Sequence, residues 1–341
     1  MTGLEIVAVG ARTPVGLAAE TNAAAVRAGI RRIAEFPFVT ANGELMKVAA
    51  DARISPAVLG PERLVTLAGS ALAEVLAQIP KPPRLIDLRL ALPEARPGLS
   101  DRNIATVIET LTTLVRTPDR QVRVECSGRG HASVAAAIAQ TRPDDEILTL
   151  VLGVDSYLHP DTFIWLEADR RFGPTARSGM IPGEAAGCLA LASPRLRKRL
   201  GMPRLAAIAG AATAHEQFLP GSETGSLGAG MTQAVLAAFA GHQLPRDAAD
   251  AVYVDVNGER YRSEEWAFVA LRAHEAIRAA HHDVPATCWG DVGAASGALA
   301  GMLAVQAWTR GYAAGPRALL VNGSPHGLRG AVLLHFEGAT P

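Results

Sequence analysis

Short apolar runs alternate with Ala-rich segments of helical spacing along almost the whole chain. The run LEIVAVGA (4–11) reads as a buried strand, and AAETNAAAVRAG after it as a helix closed by Gly29. QVRVEC (121–126) reads as a strand, GHASVAAAIAQT (130–141) as a helix that stops before Pro143, and EILTLVLG (146–153) as a buried strand. EEWAFVALRAHEAIRAAHH (264–282) has the pattern of one helix. Ser263 would cap it, and His281–His282 would end it, where positive charge suits the dipole. The Pro-rich stretch 78–98 reads as turns around one strand. Strand–helix–strand order of this kind predicts an α/β layered fold.

The pattern also echoes itself. RLAAIAGAAT (204–213) repeats the opening LEIVAVGART, with a strand ending in Gly and a small-residue turn. GEAAGCLALA (183–192) resembles GLRGAVLLHF (327–336), each a closely spaced glycine pair followed by an apolar strand. VRVEC before Gly128 pairs with VYVDVN before Gly258. Three pairs in the same order predict two duplicated halves, residues 1–200 and 201–341.

Composition narrows the class. A chain of 341 residues that is 49% hydrophobic can bury a sizeable core. Lys plus Arg equals Asp plus Glu, at 33 each, so no charge excess draws it to nucleic acid or an anionic membrane. Cys126, Cys188 and Cys288 are far apart with no CxxC, which argues against a disulfide framework or a zinc site. The histidines show no metal spacing, and the glycines of PGSETGSLGAG (220–230) lack a Walker or Rossmann context. Neither a metal nor a cofactor is therefore expected. No apolar run reaches the roughly 18 residues of a membrane helix, and the opening residues lack a signal-peptide pattern, so a cytoplasmic location is expected.

Four stretches resemble the β-ketoacyl synthases of the thiolase superfamily. VAVGARTPVGLAAETNAAAVRAGI (7–30) is similar to that family's opening strand, T/S-P-x-G turn and helix. VECSGRGHASVAAAIAQ (124–140) looks like its nucleophile turn, a Cys between strand and helix. GMIPGEAAGCLALA (179–192) resembles its G-F-V-x-G-E-G-A-G hairpin, and WGDVGAASGALAGMLAVQAW (289–308) its late G-H-x-x-G-A-x-G helix start. The resemblance implies a five-layered α-β-α-β-α fold of two halves, usually dimeric. It also implies that the hairpin is structural. Gly183 and Gly187 would allow close backbone packing, and Glu184 would be a buried carboxylate that accepts backbone or Arg donors.

Carried over residue by residue, the resemblance puts the nucleophile at Cys126, or at Ser127 if the register slips by one. The bland alternative is that Cys126 is a small buried residue. A helix N-terminus with Arg129 and His131 nearby would lower its thiol pKa. Asn257 falls where the family has its first histidine and Asp291 where it has its second. Asn257 can donate to an oxyanion, but an ionised Asp291 cannot, and it would repel the developing enolate. The family's Phe gate is replaced by NGSPHGLRG, with Pro325 and His326. NGERYRSEEW (257–266) reads either as a solvated loop or as a remodelled pocket wall. In the second case Arg260 or Arg262 would offset Asp291 or bind an anion.

Decarboxylative condensation by the family's mechanism is therefore not expected. Two functions remain open. One is a divergent acyltransferase that handles acyl thioesters of an acyl carrier protein or coenzyme A through Cys126, with Asp291 as a base. The other is a non-catalytic ketosynthase-like partner or ligand-binding subunit. Either would assemble as a homodimer or as a heterodimer with a ketosynthase. Cys126 or Ser127, Asn257 and Asp291 should converge on one cavity.

Overall fold

The computed structural model describes residues 2–173, 176–219, 222 and 225–338. The elements run β1 (Glu5–Arg12), α1 (Ala19–Arg27), β2 (Ala34–Val39), β3 (Leu45–Val48), α2 (Gly60–Ala77), β4 (Leu85–Leu92), α3 (Asp101–Val115), β5 (Gln121–Arg129), α4 (Ser133–Gln140), β6 (Ile147–Ser156), α5 (Pro160–Ala168), β7 (Glu184–Ala192) and α6 (Pro194–Arg199). They continue with β8 (Ala206–His215), α7 (Ala229–Ala238), β9 (Ala251–Val254), α8 (Arg260–Arg272), α9 (Ala286–Trp289), α10 (Ser296–Thr309), β10 (Arg317–Gly323) and β11 (Leu328–His335).

Nine strands are hydrogen-bonded in the order β5-β4-β6-β7-β1-β8-β11-β10-β9. The β1–β8 junction is short, pairing Glu5 with Ala207 and Ile6 with Ala206. The sheet folds over on itself there, because α4 and α10 each pack against strands on both sides of the junction. The inner strands of the sheet are buried on both faces, and their alternation shows it. On β7, Leu189 and Leu191 face the central helices, while Cys188, Ala190 and Ala192 join the outer layer under α2 and α3. On β11, Val332 and Leu334 face the centre, and Ala331 and Leu333 face α7. The layers are therefore α2/α3, sheet, α4/α10, sheet, α7/α8. This is the five-layered α-β-α-β-α arrangement expected from the sequence. Helix α10 is buried all round from Gly297 to Trp308, as a helix between two sheets must be.

Close approach of these layers needs missing side chains. A Cβ on Gly187 of β7 would lie 3.0 Å from both the Ala298 Cβ and the Leu299 amide nitrogen of α10. Glu184, the lone acid of the same hairpin, is fully buried. It accepts from Arg63 Nε (2.5 Å) and Nη2 (2.7 Å) on α2, from the Asp51 amide (2.8 Å) and from Ser156 Oγ (3.0 Å). The other guanidinium nitrogen of Arg63 donates to the Ser55 and Val58 carbonyls. The pair thus ties β7, β6, α2 and the 51–58 loop together.

Several sequence expectations are corrected. Strand β5 does not end at Cys126 but continues to Arg129, because its ladder with β4 runs on through Ala91–Gly128 and Leu92–Arg129. The helix expected over 264–282 starts earlier and ends at Arg272, with Glu259 rather than Ser263 at its N-cap position. His281 and His282 lie past it, next to Asp283, which exchanges hydrogen bonds with β9. The pairing of VRVEC with VYVDVN equates strands in different places. VRVEC is in edge strand β5, whereas VYVDVN forms β9 beside β10, as β4 lies beside β6. The hairpin β2–β3, which covers Phe163 with Phe36 and Phe38, was not foreseen. The loop expected over 220–230 falls partly outside the described residues.

Glu184→Gln leaves the fully buried Arg63 guanidinium without its counter-charge. It should lower unfolding stability by about 3–5 kcal/mol. Urea unfolding should show a lower midpoint at unchanged m-value, and a change under about 1 kcal/mol would contradict the role given to the pair.

Candidate active site

The turn from β5 into central helix α4 passes through two glycines at positive φ, Gly128 (150°) and Gly130 (80°). His131 follows, 1% exposed, directly before Ala132, the N-cap of α4. Asp291 approaches from the second half of the chain, after Gly290 at φ 73°. The segment leading into β7 holds it. The Asp291 amide donates to the Ile181 carbonyl (2.7 Å), and the Gly183 amide donates to the Asp291 carbonyl (2.9 Å). A Cβ on Gly183 would lie 2.4 Å from the Trp289 carbonyl oxygen, so only glycine permits this contact. Asn257 stands just past β9, and Arg262 projects from the first turn of α8.

These groups form one buried network. Asp291 Oδ1 accepts from the Gly293 amide (2.8 Å) and lies 2.8 Å from His131 Nε2, and Oδ2 accepts from Asn257 Nδ2 (2.5 Å). Burial alone would raise the Asp291 pKa. The pairing with His131, the Arg262 guanidinium and the Asn257 amide outweigh it, and the carboxyl is held well below the usual range. An ionised carboxylate only accepts, so Nε2 of His131 carries the hydrogen between them. Arg262 Nη2 lies 3.3 Å from the same nitrogen, while its Nη1 donates to Asp255 Oδ2 (3.0 Å) and the Gly323 carbonyl (2.8 Å). Asn257 Nδ2 also donates to Glu259 Oε2 (2.9 Å). Glu259 is paired in turn with Arg171 (2.6 Å). Burial would raise the Glu259 pKa, but the Arg171 hydrogen bond and the Arg262 charge bring it below its ordinary value.

The sequence-predicted residues divide into two groups. Asn257 and Asp291 meet. Cys126 does not join them: it is exposed on edge strand β5, opposite Leu90, and its thiol is 3.5 Å from the Gly128 carbonyl. Ser127 lies 3.5 Å from Arg89 Nη1, and Arg129 pairs with Asp101 at the surface (2.5 Å). Arg260 is solvent-facing and bonded to Glu264 (2.6 Å); Arg262 is the arginine that offsets Asp291. His326 is exposed and bonded to Glu94 (2.6 Å), on the rim of a cavity that His131 also lines. Sequence reading missed the part His131 plays. The available signal was position: GHAS immediately precedes the helix, and the family's nucleophile stands between strand and helix. In this structure the residue directly before the N-cap of that helix is His131.

No protein-family model and no curated protein matches the chain. Solved structures do. The ishigamide ketosynthase/chain length factor superposes with a TM-score of 0.79 over 98% of this chain and 99% of that one, at 14% identity. A ketosynthase in complex with its chain length factor from Xenorhabdus doucetiae gives 0.76, covering 98% of each chain at 15% identity. The ketosynthase from module 6 of the bacillaene synthase of Bacillus subtilis 168 gives 0.72 over 98% of this chain and 72% of that one, at 12% identity. The chain has the thiolase-like ketosynthase fold. At such identity the likeness carries the fold alone. Among the described residues of this ketosynthase-fold protein, no His, Cys, Asp and Glu group could hold a metal ion, and no helix is long and apolar enough to cross a membrane.

Asp291→Asn keeps the shape but removes the charge beside His131 and Arg262. It should cost about 3–5 kcal/mol at neutral pH. Because the folded-state pKa of Asp291 lies below its unfolded value, the wild-type advantage is complete above pH ~4 and shrinks as pH falls further. Paired urea titrations at pH 7 and pH 3 check this; an equal gap at both would refute an ionised Asp291. Cys126 alkylation should not change in this variant.

Proposed function

We propose that this ketosynthase-fold protein is a non-condensing partner subunit, joined to a condensing ketosynthase in a heterodimer and serving carrier-bound acyl chains through that partner. The observation that carries the reading is the hydrogen-bonded set His131–Asp291–Asn257 at the head of the central helix. Condensation needs a thiolate there and free donors for the thioester oxygen. An imidazole stands in the thiol's place, and both amide hydrogens of Asn257 already have carboxylate acceptors. Cys126, exposed on β5, has no part in acyl transfer on this reading. Structural neighbours described as a ketosynthase with its chain length factor, and as an acyl-carrier protein in complex with its ketosynthase, make the partner and the carrier reasonable. The chain would work in the cytoplasm without a cofactor.

The sheet edges favour one assembly face. The β9 edge is covered by the segment around Ile277 and Asp283. The β5 edge has no such strand among the described residues and leaves a ladder side open for pairing. The same reading takes residues 1–200 and 201–341 as duplicated halves. Strand order β9-β10-β11-β8 on one side of the junction repeats β4-β6-β7-β1 on the other.

Co-expression with a condensing ketosynthase and its carrier protein should give a one-to-one heterodimer by native mass spectrometry. Iodoacetamide should label Cys126 in the free chain and label it at least tenfold more slowly in the complex, with buried Cys188 and Cys288 silent in both. A covalent acyl adduct on this chain, condensation by it alone, or recovery only as homodimer would each overturn the reading.

A further inference from the structure

We propose that His131 is a general base and that the cavity it lines hydrolyses short-chain acyl thioesters. The thioester class rests on the function proposed above; the site rests on its own geometry. The cavity, about 250 Å³, lies against Arg96, His131, Tyr157, Trp165, Arg171 and Pro325. Two of its lining residues each hold a buried polar atom without a hydrogen-bond partner among the described residues, His131 Nδ1 and Arg96 Nε. Their side chains are 2% and 5% exposed. A buried polar group left unpaired costs about 1–3 kcal/mol, so two on one cavity point to something that completes them.

The rest of both side chains is fixed. His131 Nε2 is held by Asp291, which leaves Nδ1 of the neutral ring as a lone pair. Arg96 Nη2 donates to Asp155 Oδ1 (2.5 Å) and the Ser156 carbonyl (2.6 Å), and the guanidinium stacks 4.2 Å above the Tyr157 ring. One free group thus accepts a hydrogen and the other donates one. A water on His131 and a carbonyl oxygen on Arg96 satisfy both.

Charge selects the substrate further. Each carboxylate around the cavity is already paired: Asp155 with Arg96, Glu94 with His326, Glu259 with Arg171 and Asp291 with His131. Two of these carboxylates are neutralised by arginines and two lie beside histidines, so the site holds no surplus of positive charge to attract a polyanion and suits an uncharged acyl group better. The volume is below the 300–1,000 Å³ of ordinary ligand sites, which favours a short chain. Trp165 and Pro325 give that chain an apolar wall.

In the reaction, Nδ1 takes a proton from water as the water oxygen forms a bond to the acyl carbon. The carbonyl π electrons move to oxygen, and the oxyanion accepts the Arg96 Nε hydrogen. Asp291 stabilises the imidazolium so formed. Collapse re-forms the carbonyl and breaks the C–S bond, and the thiolate takes the proton from Nδ1. Water and thioester give carboxylic acid and thiol, with no redox change.

The test incubates the purified chain, without any ketosynthase, with butyryl-N-acetylcysteamine thioester and follows butyrate by chromatography. Saturable release above the buffer rate is expected, and Cys126→Ser should not alter it. His131→Gln keeps an N–H toward Asp291 but lacks Nδ1, and kcat should fall about 10²–10⁴-fold. Arg96→Lys keeps the charge against Asp155 but lacks the Nε hydrogen, and kcat should fall about 10²–10³-fold with KM little changed. No release by the wild-type chain, unchanged rates in both variants, or loss of activity in Cys126→Ser would overturn the proposal. Heterodimer formation is read separately, so either reading can fail without the other.

Discussion

A negative charge buried between the two halves of the chain sets the terms for the rest of the site. Asp291 can stay ionised there only if it is surrounded by donors, because an unpaired carboxylate in a water-free interior is costly. The donors arrive from three places, the turn before α4, the loop after β9 and the backbone of Gly293, and Arg262 in the first turn of α8 adds a positive charge nearby. Each is fixed by the layer it belongs to. The carboxylate therefore registers one half of the fold against the other. It also occupies the groups that a condensing enzyme would need free. On the proposed reading, the lack of condensation chemistry and the stability of the junction have the same cause.

The hairpin before β7 supports this arrangement twice over. Its glycines bring it against backbone that a side chain would push away: Gly183 against the Trp289–Asp291 segment and Gly187 against α10. Its acid, Glu184, neutralises Arg63 and anchors the outer helix. One buried ion pair secures the outer layers and a second set secures the centre, and the hairpin runs between them. A short motif dense in glycine with a single acid is what such a double contact requires.

The fold was largely legible in the sequence, because its determinants are local or repetitive. Apolar runs of strand length, Ala-rich helices, glycine stops and the paired glycines Gly183 and Gly187 at the start of β7 all act over a few residues, and the layered class follows from their order. The resemblance also led to Asn257 and Asp291, which the structure brings into hydrogen-bond contact. Helix length was less legible. The run 264–282 keeps an Ala-rich pattern past Arg272, yet the segment around Ile277 and Asp283 is drawn to the open edge of β9, where backbone pairing outweighs helix propensity.

The site was not legible, for a reason that concerns pairing rather than composition. The place of Cys126 depends on where β5 stops, and that is decided by β4, a strand about 30 residues away whose ladder carries β5 on to Arg129. The extra residues move the thiol out to the edge and leave His131 at the head of the helix. The state of Asp291 is likewise set by partners 34 and 160 positions away in the chain. Sequence alone determined most of the elements and their order, because these depend on neighbours along the chain. Tertiary structure decided which side chain faces the centre and which charge survives there, because register, burial and hydrogen bonding are properties of residues that meet only after folding.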